Sequence, residues 1–185
     1  RMHEIVKAQG KQTVMWESFS GTGSPHVEIP RDILVMAWET AYQLPQSLLG
    51  HGYNIVNVSW KPCYLTPGWR WNPEYIYQWN MFRWENHWQA APSYVPIQLA
   101  PYPSNRIQGG MMCSWESPDE MEIPGLRLRL PPWIERIWSP NGALPYDHFK
   151  RRFDRTDHVL QHLIRPVDIA AQGLIDPKYV GPFYN

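Results

Sequence analysis

Apolar residues fall in short continuous runs along this 185-residue chain, separated by segments with helical spacing or by loops rich in Gly, Pro and Ser. Met2–Gln9 reads as the end of a helix, with Gly10 as the residue that closes it. Gln12–Trp16 (QTVMW), Ile33–Trp38 (ILVMAW) and Asn54–Trp60 (NIVNVSW) read as strands. No helical period occurs between Glu17 and Arg31, so the first crossover helix is expected to be missing or very short. Pro45–Gly52 is a short helix that Gly50 and Gly52 can end. The longest patterned stretch is Ile107–Trp138. Its apolar and small residues, opened by Gly109-Gly110 and closed by Trp115-Glu116, predict a strand buried on both faces. A polar loop follows, and then a helix with Leu126, Leu130, Trp133, Ile134, Ile137 and Trp138 on one stripe. Tyr146–Ile164 is a further helix, with Phe149, Phe153, Leu160, Leu163 and Ile164 on its apolar side, and the tail from Arg165 is extended.

Buried runs that alternate with loops or helices, without period-two polarity, predict a parallel α/β sheet. The strands end in VMW, MAW, VSW and CSW, which places Trp16, Trp38, Trp60 and Trp115 at their C-terminal ends. A parallel barrel keeps its chemistry at that end, so these rings are expected to line one site; capping of the core is the competing explanation. Three of them are followed directly by a carboxylate, Glu17, Glu39 and Glu116. Two of these would serve as acid and nucleophile of a barrel glycosidase if their carboxyls stood about 5 Å apart, or as an inverting pair at about 6.5 to 9.5 Å.

Composition narrows the partners. With 17 basic and 17 acidic residues the net charge is zero, which offers no electrostatic footprint for nucleic acid or an anionic membrane. No apolar run approaches the roughly 18 residues a spanning helix needs. The 11 tryptophans and 10 tyrosines are the anomaly of the composition: large aromatics can cover a big core, but many of these sit where strands end, and flat rings there suit stacking on sugars. Cys63 and Cys113 are too few for a disulfide framework and are expected to be buried thiols, although one bridge is geometrically open. His158 and His162 share a helical face. Neither they nor His148 form a metal signature, since no Glu follows His158 in the HExxH manner and no third ligand is indicated. No metal or cofactor is expected. The chain opens mid-helix, without Met or a signal peptide, and reads as part of something longer whose compartment the sequence leaves open.

The stretch from Gly109-Gly110 through Cys113-Ser114-Trp115 and Glu116 to Glu135-Arg136-Ile137-Trp138-Ser139 resembles the last barrel strand and helix of glycoside hydrolase family 20, the β-N-acetylhexosaminidases. Pro62-Cys63-Tyr64-Leu65-Thr66 is similar to the family's Tyr-Leu-Asp turn, with Thr66 in place of the Asp. The resemblance implies the C-terminal half, about strands five to eight, of a (β/α)8 TIM-type barrel over residues 1–173, followed by a tail at 174–185. It implies that Trp16, Trp38 and Trp115 wall a subsite for an N-acetylhexosamine and that Trp69 and Trp71 fall where a further stacking Trp stands. Tyr64 would donate to the acetamido oxygen, and Glu116 would accept from sugar hydroxyls. Family members use an Asp-Glu pair at the fourth strand, with the substrate's own acetamido group as nucleophile. Asp119-Glu120, the only such dipeptide here, lies after the last strand and does not match that pair. The expected partners are therefore an N-acetylhexosamine saccharide and either an N-terminal half-barrel or a second copy of the chain, because half a barrel leaves strand edges unpaired. A carbohydrate-binding protein without catalysis is the main alternative.

Overall fold

The structure is a computed structural model and describes residues 1–40, 42–66, 71–86, 95–99, 105–117, 119–142 and 144–160. In chain order the elements are α1 (Met2–Ala8), β1 (Val14–Trp16), β2 (Gly23–Ser24), β3 (Val27–Glu28), β4 (Leu34–Ala37), α2 (Pro45–Gly50), β5 (Asn54–Asn57) and the single turn α3 (Trp60–Cys63). Then come β6 (Tyr64–Leu65), α4 (Pro73–Gln78), β7 (Arg83–Trp84), β8 (Ile97–Gln98), β9 (Ile107–Gly110), β10 (Cys113–Ser114), α5 (Asp119–Arg127), α6 (Leu130–Trp138) and α7 (Tyr146–Leu160). They fall into two compact units, Arg1–Lys61 with Phe82–Met111, and Pro62–Met81 with Met112–Asn185.

The first unit is built on a parallel sheet in the order β1-β4-β5-β9, so strands that follow one another in the chain also neighbour one another in space. Parallel neighbours cannot be joined by a tight turn, so each strand is reached through a crossover connection of about a dozen residues or more. Between β1 and β4 that connection holds no helix, as its lack of helical period predicted; a two-residue antiparallel pair, β2 with β3, fills it instead. Gly23 is indispensable there, because a Cβ would stand 2.2 Å from the Val27 carbonyl. α1 ends with Gly10 at φ 66°, where the Gly10 N–H donates to Lys7 O and the Lys11 N–H to Val6 O, a Schellman closure. α2 starts at Pro45 after an extended Leu44, the backbone that a following proline favours.

Val35, Ala37, Leu48, Tyr53, Ile55, Val58 and Ile107 form the buried side of this unit. Leu34, Met36, Asn54 and Val56 on the alternate positions are only partly covered, so β4 and β5 are not buried equally on both faces. The expected long strand before Trp115 is also interrupted. β9 stops at Gly110, and β10 resumes at Cys113 in a different pairing with β6. Gly109 at φ 135° and a register shift opposite β5 supply the physical reason, since the backbone leaves the extended region at the glycine.

The second unit packs α4, α5 and α6 around Cys63, Leu65, Trp71, Ile76, Trp79 and Trp133. Trp79 and Trp133 stack at 6.0 Å with planes 8° apart. α4 is capped by Asn72, whose side chain accepts from the Glu74 N–H at 2.8 Å. Where a polar loop and one helix were expected, two helices stand: Asp119-Glu120 opens α5, and the chain turns at Leu128-Arg129 before α6. That break redirects the stripe. Leu126, Leu130, Trp133 and Ile137 face the core, whereas Ile134 is 41% and Trp138 83% exposed. Arg129 is fully buried and donates from Nε to Trp71 O (3.0 Å) and from Nη1 to Gly125 O (2.8 Å), which ties the turn to the core. α7 buries Phe149, stacked on Tyr77 at 5.0 Å. Leu163 and Ile164, like the tail, lie outside the described residues.

Candidate functional site

In the first unit, β1 and β4 bring Trp16 and Trp38 together edge to face, with centroids 5.8 Å apart and planes at 75°. Both are partly exposed. The Trp38 indole N–H donates to the Glu17 carbonyl at 3.1 Å, which fixes one ring against the neighbouring strand end. Trp60, expected to end a strand, begins α3 instead.

Glu17 is fully buried. Its carboxylate accepts from the backbone N–H groups of Thr40 (2.8 Å), Tyr42 (3.0 Å) and Gln43 (3.3 Å). Burial pushes its pKa up, more than those three hydrogen bonds pull it down. The clamp holds Thr40 at φ 56°, a conformation a β-branched residue adopts only under constraint. Glu17 thus organises the loop beyond Trp38. The sequence carried a hint of this in the repeated Trp-Glu, but nothing in it distinguished a clamp from a reacting acid.

The segment around β7 covers the C-terminal ends of β4 and β5. Trp84, fully buried, donates from its indole to Ala37 O at 3.1 Å, and the Asn57 side chain donates to Arg83 O at 2.9 Å. Asn86 Nδ2 donates to the Glu39 carbonyl. Lys61 lies 4.0 Å from Glu85, and burial lowers its pKa more than Glu85 raises it. No local pattern in the sequence singles out Trp84 or Asn86; the density of aromatics around them is the only signal.

In the second unit, β6 and β10 pair Cys113 with Tyr64 and Ser114 with Leu65, and the Trp115 N–H donates to Leu65 O at 3.0 Å. Tyr64, Thr66 and Trp115 therefore share one pair of strand ends. Tyr64 is buried, and its carbonyl accepts from the Trp71 indole at 2.9 Å. Trp71 is a buried member of the core cluster and supports Tyr64 from behind. Trp115 is 49% exposed, and Glu116 is exposed with φ 59°. The Thr66 hydroxyl is buried with no hydrogen-bond partner. Trp69 lies outside the described residues.

Cys63 and Cys113 are both free and buried. Burial pushes the Cys113 thiol up to about 11, although side-chain hydrogen bonds with Trp115 and Tyr64 pull the other way. Burial raises Cys63 as well. Among the described residues no group of His, Cys, Asp and Glu could hold a metal ion, and His148 and His158 are exposed on α7; His162 lies outside the described residues.

The first unit is of the α/β class with a parallel sheet, and Trp16-Glu17 and Trp38-Glu39 stand at the C-terminal ends of β1 and β4, the end at which a parallel barrel enzyme places its chemistry. The family is more particular. The family model described as glycosyl hydrolase family 20, catalytic domain, matches residues 1–140, and the chain belongs to that family. It is accordingly a glycosyl hydrolase chain. Comparison with curated proteins gives no match.

Proposed function

We propose that this chain supplies the aromatic sugar-binding part of a β-N-acetylhexosaminidase, as strands five to eight of its barrel, and that the barrel is completed by an N-terminal half or a second copy. The observation that carries this reading is the coincidence of the family 20 match with exposed or half-exposed tryptophans at strand ends. The substrate class is a terminal β-linked N-acetylhexosamine, cleaved with retention by attack of its own acetamido group. Trp16 and Trp38 present ring faces and edges to the acetamido methyl and the pyranose, where dispersion favours a sugar over water. Trp115 stacks on the sugar ring. Tyr64 donates to the acetamido oxygen as positive charge develops in the oxazolinium-like intermediate. Glu116 accepts from sugar hydroxyls, and its exposed, left-handed backbone position supports a functional constraint on it. The unpartnered hydroxyl of Thr66 supports a neutral hydrogen bond to the ligand at the position where the family turn carries Asp. Trp71 enters through Tyr64 and not by stacking on sugar.

The acid and the polarising Asp come from outside this chain. A glycosidase that used Glu17 as acid or nucleophile is disfavoured, because its carboxylate oxygens already accept three backbone N–H groups. A chromogenic β-N-acetylglucosaminide tests the reading: the 185-residue chain alone should be inert and should turn over once the complementary half-barrel is added. Turnover by the chain alone would place the acid within these residues. Sugar binding with no turnover after addition of the complementary half would favour a carbohydrate-binding protein.

A further inference from the structure

Trp38 is pinned from both sides of its own backbone by a segment that the sheet itself does not require. The carbonyl before it, Ala37 O, accepts the Trp84 indole N–H at 3.1 Å, and the carbonyl after it, Glu39 O, accepts from the Asn86 side chain. Trp84 and Asn86 are both essentially without solvent exposure. Their strand is itself bolted down. The Lys61 N–H donates to Glu85 O (3.0 Å), the Glu85 N–H donates to Ser59 Oγ (2.9 Å), and the Asn57 amide holds Arg83 O. β8 then pairs with β7, and the Leu99 N–H donates to Phe82 O at 2.9 Å. Buried indole and amide donors from this segment thus fall on the two peptides that flank one partly exposed tryptophan.

We propose that Trp84 and Asn86 are positioning residues, which hold the Trp38 ring in one preformed orientation as the wall for the saccharide. The sugar-binding half of this inference rests on the function proposed above. A preset ring costs no ordering at the moment of binding, and loss of that preorganisation, or of one buried hydrogen bond, weakens affinity by roughly tenfold.

The test uses the whole 185-residue chain with two variants, Asn86→Ala and Trp84→Phe, the second keeping most of the buried volume while deleting the indole donor. Two quantities are read by nitrogen-15 NMR: hydrogen exchange of the Trp38 indole N–H, with the Trp71 indole N–H in the other unit as internal reference, and the dissociation constant for N-acetylglucosamine. Both variants should speed Trp38 exchange about tenfold relative to Trp71 and weaken N-acetylglucosamine about tenfold. A purely structural role would lower the melting temperature and leave the Trp38-to-Trp71 ratio and the dissociation constant unchanged, and that result overturns the proposal. If the parent chain binds no N-acetylglucosamine while the ratio still rises, the positioning role stands and the saccharide reading fails.

Discussion

Glu17 is the residue whose removal the structure constrains most tightly. In Glu17→Ala the backbone N–H groups of Thr40, Tyr42 and Gln43 lose their acceptor together. Each buried donor left unmade costs about 1–3 kcal/mol, so the gross loss is roughly 3–9 kcal/mol. Two effects oppose it. Removal of a buried carboxylate recovers the desolvation that raises its pKa, and the vacated polar space admits water to some of the donors. A net destabilisation of about 3 kcal/mol remains, which for a chain of this size lowers the melting temperature by roughly 6–12 °C. Urea denaturation followed by fluorescence measures it as a fall in the midpoint at constant slope. The pH dependence has a definite sign. Because the folded pKa is raised, the stability linked to Glu17 protonation is fully present below the ordinary glutamate pKa of about 4.3 and is lost as pH rises through the folded value. The gap between wild type and Glu17→Ala should therefore be widest in acid and narrow toward neutrality. A destabilisation below about 0.5 kcal/mol, within the ordinary scatter of surface substitutions, would refute the clamp.

Other substitutions probe separate parts of the molecule. Tyr64→Phe in the completed enzyme should lower kcat roughly 10²- to 10³-fold, as loss of an oxyanion donor does, with unchanged turnover removing Tyr64 from the site. Cys63 and Cys113, both buried and the latter with a pKa of about 11, should resist a thiol reagent at pH 8 in the native chain and react fully in guanidinium; rapid native reaction would contradict their burial. Asn72→Ala removes the α4 cap and should cost about 1 kcal/mol in the same urea assay, whereas Asn72→Asp should retain most of it.

The strand order and the strand-end tryptophans were legible because buried parallel strands write themselves as short apolar runs, and Trp16 and Trp38 close two of them. The helix boundaries after Trp115 were less so. Asp119–Arg127 carries too few apolar positions to announce a helix, and the turn at Leu128-Arg129 is made by a buried arginine that binds carbonyls, a long-range arrangement with no local signal. Trp138 completed an apolar stripe in sequence and yet stands exposed, because the break between α5 and α6 resets which face meets the core. The role of Glu17 depended on three N–H groups more than twenty residues away. Trp84 and Asn86 reach peptides forty-seven residues away, and no pattern of spacing could have connected them.

On the function proposed above, the exposed rings of this family 20 chain recognise an N-acetylated sugar. Titration of the 185-residue chain with N-acetylglucosamine and, in parallel, with glucose, followed by tryptophan fluorescence, tests it most directly. A saturable change is expected with N-acetylglucosamine, and binding of glucose at least about tenfold weaker, since the acetamido contacts are then lost. No change with either sugar, or equal affinity for both, would contradict it.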